Sequence, residues 1–210
     1  MSPTSSNYQN HFNTLTVTGK GQVAAIPDTA IVRLGVQTTG EVLKEIQEEN
    51  AKISEEVLNT LRQYGVSDIK THLYSIDKLI NYVNGVQIDQ GYSVRNIFEI
   101  RFNEMDQVGE IIDAAVSSGA NIVDFITFEV SDADVHYLKA LNLAVSDAYQ
   151  KAKSIMMHIG IVMDPIPKQI TENSTIPIPF TQVRMERSFA TPIEPGITQI
   201  EAHVTIEFMY

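Results

Sequence analysis

The side chains best suited to metal ligation or proton transfer in this 210-residue chain are five histidines, His11, His72, His136, His158 and His203, since cysteine is absent. None stands in an HExxH or comparable spacing, so a zinc site would need distant residues to converge. Asp132, Asp134 and His136 place three ligand-type groups close together, but acids there equally suit a helix start, whose amide dipole favours them. Gly19-Lys20-Gly21 is too short for a phosphate loop and no helix follows it, so a strand bulge or turn is expected. There is no GxSxG elbow. Ser75 or Ser93 could approach His72 across a hairpin, with Tyr74 or Arg95 nearby, yet no third residue that would orient the histidine can be named. No catalytic, cofactor-binding or metal residue is therefore assigned, and the chain is expected not to be an enzyme.

Composition narrows the remaining classes. Hydrophobic residues make up 43% and charged residues 20%, which is ordinary for a globular chain with enough apolar surface to offset conformational entropy. Fifteen basic against 26 acidic residues give a formal charge of -11, which repels phosphates and anionic lipid, so no nucleic acid is expected as partner. The lack of cysteine excludes disulfides and thiol chemistry without choosing a redox compartment. Residues 1–10 carry no basic segment followed by an apolar one, and no later run approaches about 18 apolar residues, so direct membrane insertion is not expected. A cytoplasmic location follows for the chain as it begins here. Export to the periplasm or exterior is the alternative if a signal peptide has been removed.

The elements that would position any site follow from periodicity. Residues 1–13 read as a flexible tail and 14–210 as a single domain. Leu15–Gly21 reads as a strand, and Ala30, Val32, Leu34 and Val36 alternate in a second, entered through a turn at Pro27-Asp28. Thr38 to Glu41 has capping-box spacing and predicts a helix from there, carrying Val42, Ile46, Ile53, Val57 and Leu61 to Gly65. Its many glutamates fit a solvated face. Asn103 to Asp106 and Ser131 to Asp134 carry further N-cap signatures. Between those two helices, 121–130 reads as a strand. The helix after Ser131 shows a stripe of Leu138, Leu141, Val145, Ala148, Ala152, Ile155 and Ile159, and its alanines suggest close packing on the sheet or the first helix. Six of the eight prolines fall between Asp164 and Gly196 and mark an excursion at about 164–196. Thr198 to Met209 alternates as a closing strand. The fold class is α+β: a long, mostly antiparallel sheet with helices packed on one face.

The clearest local signal is a β-hairpin from Ile69 to Phe102. Asn84-Gly85 tolerates the positive φ values of a type I′ turn, pairing Val83 with Val86 and, without bulges, Leu73 with Asn96, Thr71 with Phe98 and Ile69 with Ile100. Arms of about 15 residues at about 3.3 Å each reach roughly 50 Å, longer than the roughly 40 Å width of a domain this size, so the tip should bend or project. Tyr82, Val83, Asn84, Gly85 and Val86 are therefore candidate interaction residues. Ile176, Ile178 and Phe180, in an apolar Pro-spaced segment, are a second candidate, either as an interface or as core cover.

Val17-Thr-Gly-Lys-Gly21, Pro27-Asp28, Asn50-Ala51, Thr71, Gly91-Tyr-Ser-Val-Arg-Asn96, Gly119-Ala-Asn121, Phe128, the Ala148–Lys153 run and Glu194-Pro-Gly196 occur in an order that resembles the SIMPL domain family, also described as YggE-like, from about Leu15 to Phe208. The resemblance implies a mixed α/β domain that self-assembles, is often exported to the bacterial envelope, and is linked with oxidative-stress protection and signalling interactions. It supplies no catalytic residues. The expected function is a non-enzymatic homo-oligomer with a stress-related or scaffold role, binding copies of itself or a protein partner through strand edges and the hairpin tip. A small-molecule or peptide binding module is the alternative.

Overall fold

The computed structural model describes residues 13–173, 181–182 and 196–210, with the backbone alone of Val83, Thr181 and Gln182. In chain order these form β1 (Thr14–Ala25), β2 (Thr29–Gly40), α1 (Leu43–Gln63), β3 (Asp68–Val83), β4 (Val86–Phe102), α2 (Val108–Ser117), β5 (Ile122–Glu129), α3 (Ala133–His158), β6 (Ile166–Glu172), β7 (Thr181–Gln182) and β8 (Thr198–Met209). The α+β class holds, with the strands divided between two antiparallel sheets, β1-β8-β6 and β3-β4-β2-β5-β7. The chain separates into two compact units, one around each sheet, with β6 and β7 falling inside the proline-rich stretch. The first 12 residues and Ile176, Ile178 and Phe180 lie outside the described residues.

In the unit built on β1, β8 and β6, alternation in β8 buries Ile200, Ala202, Val204, Ile206 and Phe208 and leaves the intervening residues partly exposed. That pattern matches the sequence. The packing of α3 does not. The face it buries is Tyr137, Ala140, Ala144, Ala148, Ala152 and Met156, while Leu138, Ile155 and Ile159 of the expected stripe are exposed. The reason lies in β1, where a Cβ on Gly19 would fall 2.0 Å from the Ala144 carbonyl oxygen and one on Gly21 1.8 Å from that of Ala140. Helix backbone thus lies directly on strand backbone, an approach that only an alanine ridge facing glycines permits. Gly19-Lys20-Gly21 is accordingly neither bulge nor turn, because β1 pairs with β8 without a register break from Thr14 to Ala25.

In the other unit, α1 and α2 cover one face of the sheet. Ala30, Val32, Leu34 and Val36 of β2, Phe98, Ile100 and Phe102 of β4, and Ile126 and Phe128 of β5 meet Val57, Leu61, Ile111 and Ala115 there. The expected capping box does not form. β2 continues through Gly40, α1 starts at Leu43, and the buried Thr38 hydroxyl donates to the Ile46 carbonyl at 2.9 Å. The α3 start likewise shows no side-chain cap from Asp132, and Ser131 instead donates to the Asp28 carboxylate through its hydroxyl (2.7 Å) and its amide (2.8 Å). On the opposite face of this sheet Arg33 pairs with Glu99 at 2.9 Å and lies over the Phe125 ring.

Candidate interaction surface

The hairpin forms where the sequence places it, with Asn84 at φ 51° and Gly85 at φ 80° in the turn and Val83 paired with Val86. Thr71 meets Phe98 and Ile69 meets Ile100 as expected, but Leu73 faces Ile97 rather than Asn96. Two bulges of opposite sense cause this. One adds a residue to β4 at Gln90-Gly91, and the other adds His72 to β3, so the register slips by one between them and then returns. Gly91 sits at φ +86°, and a Cβ there would be 2.3 Å from the Gly40 carbonyl oxygen, so the bulge needs glycine where the hairpin leaves β2.

β2 pairs with β4 only from Tyr92 onwards. Beyond that point the hairpin is a two-stranded ribbon that extends about 20 Å past its neighbour, at about 3.4 Å per residue. Its base is held by Asp89, whose carboxylate accepts the Gly91 amide at 3.0 Å and pairs with Lys78 at 2.8 Å. The Lys78 hydrogen bond, seconded by Gly91, holds the Asp89 carboxyl below the usual aspartate range, and the same bond raises Lys78. Past this clamp Ile80, Tyr82 at 68% exposure, Val86 at 64% and Ile88 are exposed, interspersed with the exposed polar Asn81, Asn84 and Gln87.

The residues singled out for chemistry do not converge. His72 is an exposed bulge residue, Ser75 donates to Asp77 at 3.2 Å, and the buried Ser93 accepts from Gln37 at 2.9 Å. Tyr74 accepts a hydrogen bond from Gln47, and Arg95 pairs with Asp77. Among the described residues no group of three or more His, Asp or Glu side chains is arranged to hold a metal ion, Asp132, Asp134 and His136 included. A shallow open depression lies at the last turns of α3, against Ile155, Met157 and His158.

Residues that carry the family resemblance have structural work instead. Asn50, buried on α1, donates to the carbonyls of Val36 and Val94, both at 3.1 Å, while Ser54 links it to Asn96. Asn121 exchanges hydrogen bonds with the Gln37 backbone, accepting its amide at 2.7 Å and donating to its carbonyl at 2.8 Å. Asp28 ties the start of β2 to the end of β5, its amide donating to the Glu129 carbonyl. The polar seam of Asn50 and Ser54 was not visible in the apolar periodicity of α1. A second surface was missed for the same kind of reason: Val135, Leu138, Leu143 and Met157 of α3 remain exposed because the alanine ridge occupies the strand.

Comparison with known proteins shows the family. Residues 15–208 match the model of a family described as SIMPL, a protein of unknown function (DUF541). The 26 kDa periplasmic immunogenic protein of Brucella abortus is 28% identical over 209 residues, covering 92% of this chain and 83% of that protein. The uncharacterized protein YggE of Escherichia coli K12 is 20% identical over 195 residues, covering 92% and 79%. No helix is long and apolar enough to cross a membrane among the described residues.

Proposed function

The chain belongs to the SIMPL family, and on that premise we propose that it is a non-enzymatic, self-assembling interaction protein whose hairpin ribbon is the contact element. The observation that carries this is the ribbon itself: Ile80, Tyr82, Val86 and Ile88 stand exposed beyond the end of the β2 pairing. A two-stranded ribbon is marginal alone in water, and its apolar side chains gain roughly 25 cal/mol per Å² when another surface covers them. The motif residues that hold the strands together leave the surface as the part of the molecule free to act.

The name of the Brucella relative supports a periplasmic location, reached through the exported alternative, and cell fractionation with compartment markers tests it. The stress link implied by the resemblance would then describe the process the assembly serves. The experiment for assembly is light scattering after size exclusion, on the parent and a Tyr82→Ser/Val86→Ser double variant. The parent is expected as an oligomer, and the variant should associate at least tenfold more weakly with unchanged far-UV circular dichroism. A monomeric parent across a wide concentration range would sink the reading.

A further inference from the structure

Self-assembly through strands requires an edge with free amides and carbonyls, and the described edges are not equivalent. The outer edge of β1 is occupied at its middle by α3: Asp147 accepts the Lys20 amide at 2.9 Å and Lys151 donates to the Thr18 carbonyl at 3.1 Å. The outer edge of β6 carries Pro167, which has no N–H, and a register break between Pro167 and Gln169. The shorter β5 is joined by β7 at Thr127 and Phe128. β3 ends its sheet and is the longest of these edge strands.

We propose that the outer edge of β3 pairs antiparallel with the same edge of a second copy, about a twofold axis through Ile76, over Leu73–Leu79. This pairing rests on the self-assembly reading above and adds to it a second contact, on β3 below the ribbon, with its own partner strand and register. In a two-residue hairpin Val83 and Val86 exchange both backbone hydrogen bonds, so along β3 from its tip the groups of Tyr82, Ile80, Lys78, Ile76 and Tyr74 point away from β4. β3 itself carries no extra residue until the His72 bulge, which ends the segment, since the shift between Lys78 and Ile80 adds its residue to β4. A twofold contact makes each residue i meet its complement, and side-chain chemistry then selects the register. Centring on Asp77 or on Lys78 would set like charges directly opposite, and centring on Ser75 would place Leu73 against Asp77. Centring on Ile76 sets Ile76 on Ile76, Leu73 on Leu79, the Ser75 hydroxyl on the Asp77 carboxylate and the Tyr74 ring beside the Lys78 ammonium. Ile76, Leu73 and Tyr74 are all exposed, so no unfolding is needed to make the contact.

The chain contains no cysteine, so single-cysteine variants report the register cleanly. A hydrogen-bonded antiparallel pair places its Cα atoms about 5.5 Å apart, within disulfide reach. Under mild oxidation Ile76→Cys is expected to give a covalent dimer on a non-reducing gel. Leu79→Cys, about 20 Å from its own copy in this register, is expected to stay monomeric on that gel. Ile76→Lys should weaken association at least tenfold in light scattering while leaving circular dichroism unchanged. If the parent is oligomeric but Ile76→Cys does not cross-link, the β3 pairing is overturned and self-assembly stands. A cross-link at Leu79→Cys in place of Ile76→Cys overturns the register, and a parent that is monomeric at every concentration overturns both readings.

Discussion

Replacing Gly21 by alanine tests the closest approach found at any described glycine. The added Cβ would lie 1.8 Å from the Ala140 carbonyl oxygen and 2.6 Å from the Ala144 amide nitrogen, both backbone atoms with no rotamer to yield. Restoring an ordinary contact of about 3.5 Å requires α3 to lift by about 1.7 Å, and a gap of even 0.5–1 Å forfeits a quarter to a half of each contact's attraction. Ala140, Ala144, Ala148 and Ala152, all fully buried, would lose contact together. Overpacking usually costs about 1–3 kcal/mol, and the ridge as a unit argues for the upper end, against a gain of about 0.4–1 kcal/mol from the stiffer unfolded chain. A net loss of about 2–2.5 kcal/mol is expected, or roughly 4–10 °C in Tm at this size. Urea unfolding followed by far-UV circular dichroism measures it, with Gly196→Ala as control. A Cβ on Gly196 would meet nothing within 4 Å, so that variant should stay within about 0.5 kcal/mol of the parent. A Gly21→Ala midpoint equal to the parent's would refute the helix-on-strand account.

Asn50→Ala removes donors to the Val36 and Val94 carbonyls and should cost about 1–3 kcal/mol in the same urea assay, while Lys52→Ala on the exposed side of α1 should change little. Glu99 gives a pH-dependent prediction. Burial pushes its carboxyl up, but the hydrogen bond and charge of Arg33, with Lys70 and Arg101, outweigh this and leave its pKa below the ordinary glutamate value. A depressed folded pKa contributes stability above the unfolded value of about 4.3, and that stability is lost as pH falls through the folded pKa. Glu99→Gln is therefore expected to be less stable than the parent by about 1–2 kcal/mol at pH 7, and the two unfolding midpoints should converge at acid pH. A gap that is constant from pH 7 to the acid limit would contradict the ion-pair assignment.

How much of this was legible in the sequence depended on the range of the forces involved. The hairpin and the closing strand were readable because Asn84-Gly85 and the alternation from Thr198 to Met209 act over neighbouring residues. The family was readable too, since its motifs recur in order along the chain. Register within the hairpin was not: the bulges at His72 and Gly91 cancel, so the pairing agrees at both ends and fails only between them. Gly91 needed Gly40 beside it before its role had a cause.

Local pattern by itself determined the α+β class, most strand positions and the exposed turn of the ribbon. Tertiary contact decided which side of α3 is buried. Two apolar stripes were available, and the larger residues of Leu138, Ile155 and Ile159 lost to an alanine ridge because Gly19 and Gly21 lie on a strand far away in sequence. Hydrophobicity ranks the stripes one way, while steric fit between two backbones ranks them the other, and only the folded chain brings those backbones together.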